Sequence, residues 1–454
     1  MTTADDHADR IIEAERLLAL EIELIGRAPE SQIEPTLDRV KAALDLMGNP
    51  ERAYPTIHIA GTNGKSSTAA MIDALLSAYG VRTGRFTSPH LETLRERIRL
   101  DGELIDSGRL LAAWEDIVPI LAIVEADGGR PLTYFEVITL LAFAAFADLP
   151  VSVGVLEVGL GGSWDATNVA DASVGVVMPI SMDHMEWLGD DLASIAEAKA
   201  GIIKPGMVVV TAEQDVVASE VLHERASTVG ARLVRSGVDY GLVSRQVAVG
   251  GQVLTIQGLA GTYEDIQLPM HGEHMAHNAA AALVAVEAFL GGGAGALDAD
   301  AVGRGFLSVS VPGRLEVIRR SPTVLLDVAH NPDGAEALAA AVSEAFHFDR
   351  LVGVVGILGD KDAMAMLVAL EPVLDEVVIT QSASPRAIDP EDLGGLAAEV
   401  FGSERVTVEA SLPDALEAAV TAAESEGELE GVGVLVTGSV TVAGEARALL
   451  RSRR

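Results

Sequence analysis

The 454-residue chain contains no cysteine. That absence excludes disulfides, thiolate nucleophiles and cysteine-ligated zinc together. The N-terminal segment is acidic, with neither a basic stretch nor an apolar core of a secretory leader, so the expected location is cytoplasmic. Basic residues are scarce: 32 Lys+Arg stand against 67 Asp+Glu, a formal charge of −35. Such a surface repels phosphate backbones and anionic headgroups, which argues against nucleic-acid and membrane partners; an anionic substrate needs a local positive site. Long hydrophobic runs are also missing. The longest, 138–147 and 279–289 (the latter broken by Glu287), are too short to span a bilayer. Lysine is rare among them, with five against 27 arginines in those 32 basic residues. Lys41, Lys65, Lys199, Lys204 and Lys361 therefore invite the reading that lysine is kept where a point charge or a reactive amine is required. Codon bias or a salt-adapted surface explains the same scarcity. What is present is ordinary for a globular protein, 49% apolar and 22% charged, with room for about two or three domains.

Hydrophobic periodicity predicts helices in the first fifty residues, then a short strand at 56–59, a glycine-punctuated loop and a helix over 67–79. Further strands are expected at 151–158, 174–179 and 207–211, separated by helices at 110–125, 135–147 and 192–200. Alternation of this kind predicts a mostly parallel sheet covered by helices. Residues 242–268, with Gly250-Gly251 at a turn, read as an antiparallel hairpin appended to that sheet. Helices at 275–290 and 299–308 follow. From about 311 the pattern restarts, with strands at 324–326, 351–355, 376–380, 406–408 and 433–437. The expected architecture is α/β: a P-loop-type domain over 1–310 with appended antiparallel strands, then a smaller Rossmann-like α/β domain over 311–454. The acidic stretch 424–430 reads as solvated surface.

The strongest local signal is Gly61-Thr62-Asn63-Gly64-Lys65-Ser66-Ser67, between a strand and a helix. Backbone amides of such a loop converge on phosphate oxygens, and the helix N-terminus adds positive potential. Lys65 suits the terminal phosphates, and Ser66 or Ser67 can offer a hydroxyl to Mg²⁺. Only two residues separate the glycines, fewer than in the common phosphate loop. Ser88, Glu157 and His184 each fall near the end of a predicted strand, where open α/β sheets bind ligands. Each alone is as readily a structural polar group. The triplet His271, His274 and His277 fans too widely around a helix for one tetrahedral ion, and capping, packing or ligand contacts are expected instead. Arg314 and the Asp327–His330 pair could complete a nucleotide site, or could equally serve as an interdomain salt bridge and a helix cap.

Taken in order, the series GTNGK, TSPHL, LTYFE, LEVGLGG-x-x-DATN, DH-x-x-x-LG, AKAGI-x-K, HNAA, PGRLE, D-x-AHNP, LGDKD and SPRA resembles the folylpolyglutamate synthase/dihydrofolate synthase family, ligases related to the Mur ligases. The resemblance runs from about Gln32 to Ser439.

The resemblance implies an ATP-dependent ligase joining L-glutamate to a pterin carboxylate, dihydropteroate or a reduced folate, by way of an acyl phosphate. Gly61 to Ser67 would hold ATP. Ser88, Glu157 and His184 would hold Mg²⁺, with Glu157 shared if there are two ions, and K⁺ is a further candidate cation. Lys199 matches the lysine carried as a carbamate, an anionic metal ligand. Gln32, Ile33, Glu34, Thr133, Tyr134, Phe135, Glu136, Trp164 and Asp165 would form the pterin pocket. Asn278, Arg314 and Asp327 would contact ATP across an interdomain cleft, with His330 and Ser439 near the glutamate. A monomer is expected. Ser163 stands where the family usually has Arg, Ser66 where many members have Gly, and the acid preceding Lys199 has shifted to Glu197. Two rivals remain: a Mur-type ligase of nucleotide-linked peptides, and a regulatory NTPase without ligase activity.

Overall fold

A computed structural model describes residues 4–27, 35–126, 130–424 and 431–452. Gln32, Ile33 and Glu34, expected in the pterin pocket, and most of the acidic stretch 424–430 lie outside the described residues. The chain divides into two compact units, the first comprising Met1–Leu242, Ile256–Tyr263 and Asn278–Ser308, the second Val243–Thr255, Glu264–His277 and Val309–Arg454.

Eight strands form the sheet of the first unit: β1 (Thr56–Ala60), β2 (Thr83–Phe86), β3 (Ile98–Leu100), β4 (Glu103–Leu104), β5 (Val153–Glu157), β6 (Val174–Val177), β7 (Val208–Thr211) and β8 (Arg232–Arg235). Their order is β4-β3-β2-β5-β1-β6-β7-β8. The pairs from β2 to β8 are parallel, and β3 and β4 add an antiparallel edge. β1 and β5 are buried throughout, as central strands covered on both faces must be. Leu156 belongs to one apolar cluster, with Phe86, Phe143 and Phe146, and Val158 to another, with Ile195, Ile203 and Val209; cross-strand register through His58 and Gly175 puts Phe86, Leu156 and Val209 on the same face of the sheet. The helix Leu192–Ala200 has the predicted bounds. The antiparallel strands attached to this sheet are thus β3 and β4. Residues 241–268 instead make their own three-stranded sheet from β9 (Gly241–Ala248), β10 (Gly251–Gln257) and β11 (Thr262–Leu268), in the order β11-β10-β9. The expectation of a hairpin joined to the main sheet is corrected here: three alternating strands satisfy one another's backbone and need no edge of the larger sheet.

The second unit carries β12 (Glu316–Arg320), β13 (Thr323–Leu326), β14 (Arg350–Val355), β15 (Glu376–Ile379), β16 (Val406–Val408) and β17 (Val432–Thr437) in the order β12-β13-β17-β14-β15-β16. All are parallel except β12, an edge strand that the charged sequence Glu316–Arg320 hid. Strict alternation feeds two cores: Val377, Ile379 and Leu435 enter one, Val378, Val434 and Val436 the other. No helix among the described residues is long and apolar enough to cross a membrane.

Candidate active site

The phosphate loop leaves the buried end of β1 and enters the helix Lys65–Ala78. Gly61 has φ 143°, and a Cβ there would lie 2.7 Å from the Met178 Cβ. Gly64 has φ 84°, and its missing Cβ makes room for the Asn278 side chain, whose Oδ1 would be 2.8 Å away. Glycine is therefore required twice, and the Asn278 side chain lies against the loop at Gly64. The Thr62 amide donates to the Pro179 carbonyl at 2.8 Å. Its hydroxyl donates to the Ser181 carbonyl at 3.1 Å and accepts from the Ser181 amide at 3.0 Å. That pair of bonds ties the loop to the segment carrying Asp183 and His184.

Two lysines meet on one carbonyl. Lys65 Nζ donates to Gly61 O at 3.0 Å and to Thr62 O at 2.9 Å, and Lys199 Nζ donates to Gly61 O at 2.9 Å. Lys199 is 4% exposed. Burial first, and repulsion from Lys65 second, push its ammonium down to about 7, with Asp183 and Asp165 opposing. An amine in that condition is largely unprotonated at mildly alkaline pH, as nucleophilic chemistry on nitrogen requires.

Glu157 ends β5 and is 1% exposed. Ser66 Oγ donates to its Oε1 at 2.8 Å and the Ser88 amide to its Oε2 at 3.2 Å. Ser66, Ser88 and Glu157 thus form an oxygen-rich group at the mouth of the phosphate loop. Ser67 turns inward, and its buried Oγ has no hydrogen-bond partner among the described residues. His184 has φ 53°, and its Nε2 lies 3.6 Å from Asp183 Oδ2. Among the described residues no three His, Asp or Glu side chains gather as a metal cluster. The donors present are instead a carboxylate and hydroxyls, which suit a hard cation that also keeps water and phosphate ligands.

Asp165 is buried and accepts from the Gly159 and Leu160 amides, both at 2.9 Å, from the Thr167 amide at 2.9 Å and from the Thr167 hydroxyl. Burial raises its pKa against those hydrogen bonds. This carboxylate shapes the loop that follows Glu157. Thr133 and Glu136 form a reciprocal cap at the start of the helix Tyr134–Asp148, and Glu136 also accepts from Arg39 at 3.1 Å. Their side chains are occupied, whereas Tyr134 and Phe135 present rings. Phe135 packs on Gly159, where a Cβ would sit 2.5 Å from Cζ, so the aromatic helix start abuts the Glu157 loop. Trp164 lies beside Gly161 in the same loop.

In the second unit, Asp327 is buried and accepts from the Leu315 and Ala329 amides at 2.9 and 2.8 Å. Burial raises its pKa, and the Arg314 guanidinium nearby counteracts this. His330 Nδ1 donates to Val328 O at 2.9 Å, which leaves Nε2 as the basic nitrogen. Ser439 accepts from the Val442 amide at 3.2 Å and caps the helix Val440–Ser452. LGDKD and SPRA come together, with Arg386 donating to Asp360 at 2.6 Å and the Gly359 amide to the Arg386 carbonyl at 2.8 Å. Of the three histidines, His271 packs on Phe346 at 5.1 Å, His274 is half-buried and pushed down to about 4 by burial and then Arg314, and His277 lies 3.9 Å from Glu273.

The Mur ligase middle domain matches residues 59–286, and the Mur ligase glutamate ligase domain matches residues 313–440. The dihydrofolate synthase/folylpolyglutamate synthase of Mycobacterium tuberculosis is 49% identical over 455 residues, covering 95% of this chain and 93% of its own. The chain belongs to the folylpolyglutamate synthase/dihydrofolate synthase family. A folylpolyglutamate synthase structure from Mycobacterium tuberculosis, complexed with ADP, superposes with a TM-score of 0.92 at 48% identity, over 96% of this chain and 99% of that one. Escherichia coli FolC in complex with DHPP and ADP gives a TM-score of 0.83 at 31% identity, over 96% and 98%.

Within that family, the departure at Ser163 has a local consequence. Its amide and hydroxyl both donate to the Ala198 carbonyl, at 2.9 and 3.1 Å, and it packs where any Cβ on Gly201 would fall. Ser163 thereby buttresses the end of the Lys199 helix. Sequence reasoning gave no role to His58, His90 or Arg97. His58 Nε2 is 2.8 Å from the Thr167 hydroxyl, and burial, then Lys204, pushes the ring down to about 3. His90 accepts from Arg97 Nε at 2.9 Å and is pushed to about 3 by burial and then by that cation. TSPHL contained His90 as a motif letter, but no spacing in the sequence announces its partner.

Proposed function

We propose that this chain is an ATP-dependent ligase that joins L-glutamate to the carboxylate of a pterin acid, dihydropteroate or a reduced folate, in folate metabolism. The observation that carries the reading is the junction of the phosphate loop with buried Glu157, through Ser66 on one oxygen and Ser88 on the other, beside the ring-bearing start of the helix Tyr134–Asp148. A nucleotide's terminal phosphates, a hard cation and a flat acid meet at such a place. The relatives solved with ADP, and with DHPP and ADP, support it.

The site residues then divide the work. Loop amides other than that of Thr62, which is bonded to Pro179, and the helix N-terminus bind phosphate oxygens, and Lys65 exchanges its loop carbonyls for them. Glu157, Ser88 and His184 would hold Mg²⁺, with Ser66 fixing Glu157, and such an ion would supply charge neutralisation for phosphoryl transfer. Lys199 as a carbamate would add a second anion to that group. The transfer gives ADP and an acyl phosphate. The glutamate amine, having lost its extra proton, attacks the acyl carbon, the C–O bond to phosphate breaks, and a second proton leaves the new amide. The basic Nε2 of His330 is assigned to receive a proton, with Arg314 and Asp327 on the nucleotide and Ser439 toward glutamate. Tyr134, Phe135 and Trp164 supply apolar faces for the pterin acid, and Asp165 orders the loop beneath it.

ADP release from the purified chain with Mg-ATP, with and without L-glutamate, on 7,8-dihydropteroate and separately on a reduced folate, tests this reading. Glutamate-dependent turnover on dihydropteroate alone makes it a dihydrofolate synthase, and on both acids a bifunctional enzyme. Glutamate-independent hydrolysis, or no turnover on either acid, overturns it.

A further inference from the structure

Arg97 stands where two parts of the site join. Its backbone carbonyl accepts from the Thr87 amide at 3.0 Å, next to Ser88, whose own amide reaches Glu157. Its Nε donates to His90 Nδ1 at 2.9 Å, two residues beyond Ser88. Its guanidinium carbon lies 5.1 Å from the centroid of the Tyr134 ring. The loop is pinned again next door, where the Glu96 carboxylate accepts the amides of Leu91, Glu92 and Thr93 at 2.9, 3.0 and 3.0 Å. Arg97 itself is 4% exposed.

We propose that Arg97 is a positioning residue that sets the plane and place of the Tyr134 ring relative to the Ser88–Glu157 side of the site, and so aligns the pterin acid for phosphorylation. A buried arginine is a costly way to fill space, since its charge loses hydration. Its planar guanidinium gives what an aliphatic side chain cannot: a directed Nε–H toward His90 and a flat cation against an aromatic face. Lysine keeps the charge and loses both. His90 completes the device, because an acceptor at Nδ1 fixes the guanidinium's rotation. Phe135, the next residue along, packs on Gly159 beyond Glu157, so a turn of the Tyr134 ring is referred to the same loop. Phosphoryl transfer needs the acceptor oxygen within about 3 to 3.5 Å of phosphorus, and small misplacements there are expensive in rate.

The proposal rests on the assignment of Tyr134 to the acid's pocket. Steady-state kinetics on Arg97→Lys, His90→Leu, His90→Gln and Tyr134→Leu, with calorimetric ADP binding and thermal unfolding on each, test it. Arg97→Lys and His90→Leu should each raise KM for the pterin acid about tenfold, equivalent to about 1.4 kcal/mol, and lower kcat, while the Kd for ADP stays within about twofold. His90→Gln keeps an acceptor and should recover most of the loss, and Tyr134→Leu should resemble Arg97→Lys. Unchanged KM for the acid in Arg97→Lys and His90→Leu, or losses in acid and ADP binding that simply follow a fall in Tm, overturns the proposal alone. A wild-type chain that neither binds nor turns over either acid overturns the reading of the pocket and this proposal with it.

Discussion

Single side chains decide how tightly the site is held. Ser66 stands where many members of the family have Gly, and its hydroxyl is a donor to Glu157. Ser66→Ala should cost about 1 kcal/mol in urea unfolding and weaken ADP binding in the presence of Mg²⁺ more than in its absence. Equal effects with and without the ion would separate Ser66 from Glu157. His58 gives the pH prediction. Its ring is held near pKa 3 against an ordinary 6.5, so the folded state binds fewer protons than the unfolded chain between those values. Stability therefore rises with pH through that window and falls on acidification, by on the order of 5 kcal/mol for this one group. His58→Asn should flatten the acid limb of the Tm–pH curve, and an unaltered limb contradicts the assignment. The lysines show how far scarcity can be read. Lys65 and Lys199 meet at Gly61, but Lys204 donates to the carbonyls of Asn168 and Ala170 at 2.8 and 2.6 Å, a structural duty. Residues that lie consecutively in a motif were legible. Arg97 with Tyr134 and His58 with Thr167 were not, because folding supplies the partner from a distant segment.

Elements were legible where one period dominated. The helix Leu192–Ala200 and the strand Val406–Val408 have their predicted bounds, since an unbroken apolar rhythm met clear caps. β3, β4 and β12 are not announced by periodicity, because short strands at a sheet's margin carry charge and offer few apolar positions. The sheet of β9, β10 and β11 was seen as strands but misplaced, since alternation reports a half-buried face and not its neighbour. The helix Glu273–Gly291 shows what periodicity hides. Glu287, which looked like an interruption in an apolar run, is fully buried and accepts from the Leu259 amide at 2.6 Å and the Tyr263 hydroxyl at 2.7 Å. Glu287→Ala should cost about 3 kcal/mol or more by leaving both donors without a partner, and should increase amide exchange over 257–263. Loss of stability without faster exchange in that loop would contradict this role.

On the scale of the whole molecule, a charge of −35 sets the background against which every local cation works. Self-repulsion of that size is screened by salt, so raising NaCl from about 0.05 M toward 1 M should raise Tm. A Tm that is highest at low salt would contradict the reading of a salt-tolerant surface. The same field makes the paired lysines at Gly61 and the loop amides the natural place for an anionic nucleotide. Isotope transfer reads whether ATP activates the pterin carboxylate before glutamate attacks. A pterin acid labelled with ¹⁸O in its carboxylate, turned over with ATP and glutamate, should give inorganic phosphate carrying one ¹⁸O per amide formed. Amide formation with unlabelled phosphate would contradict it.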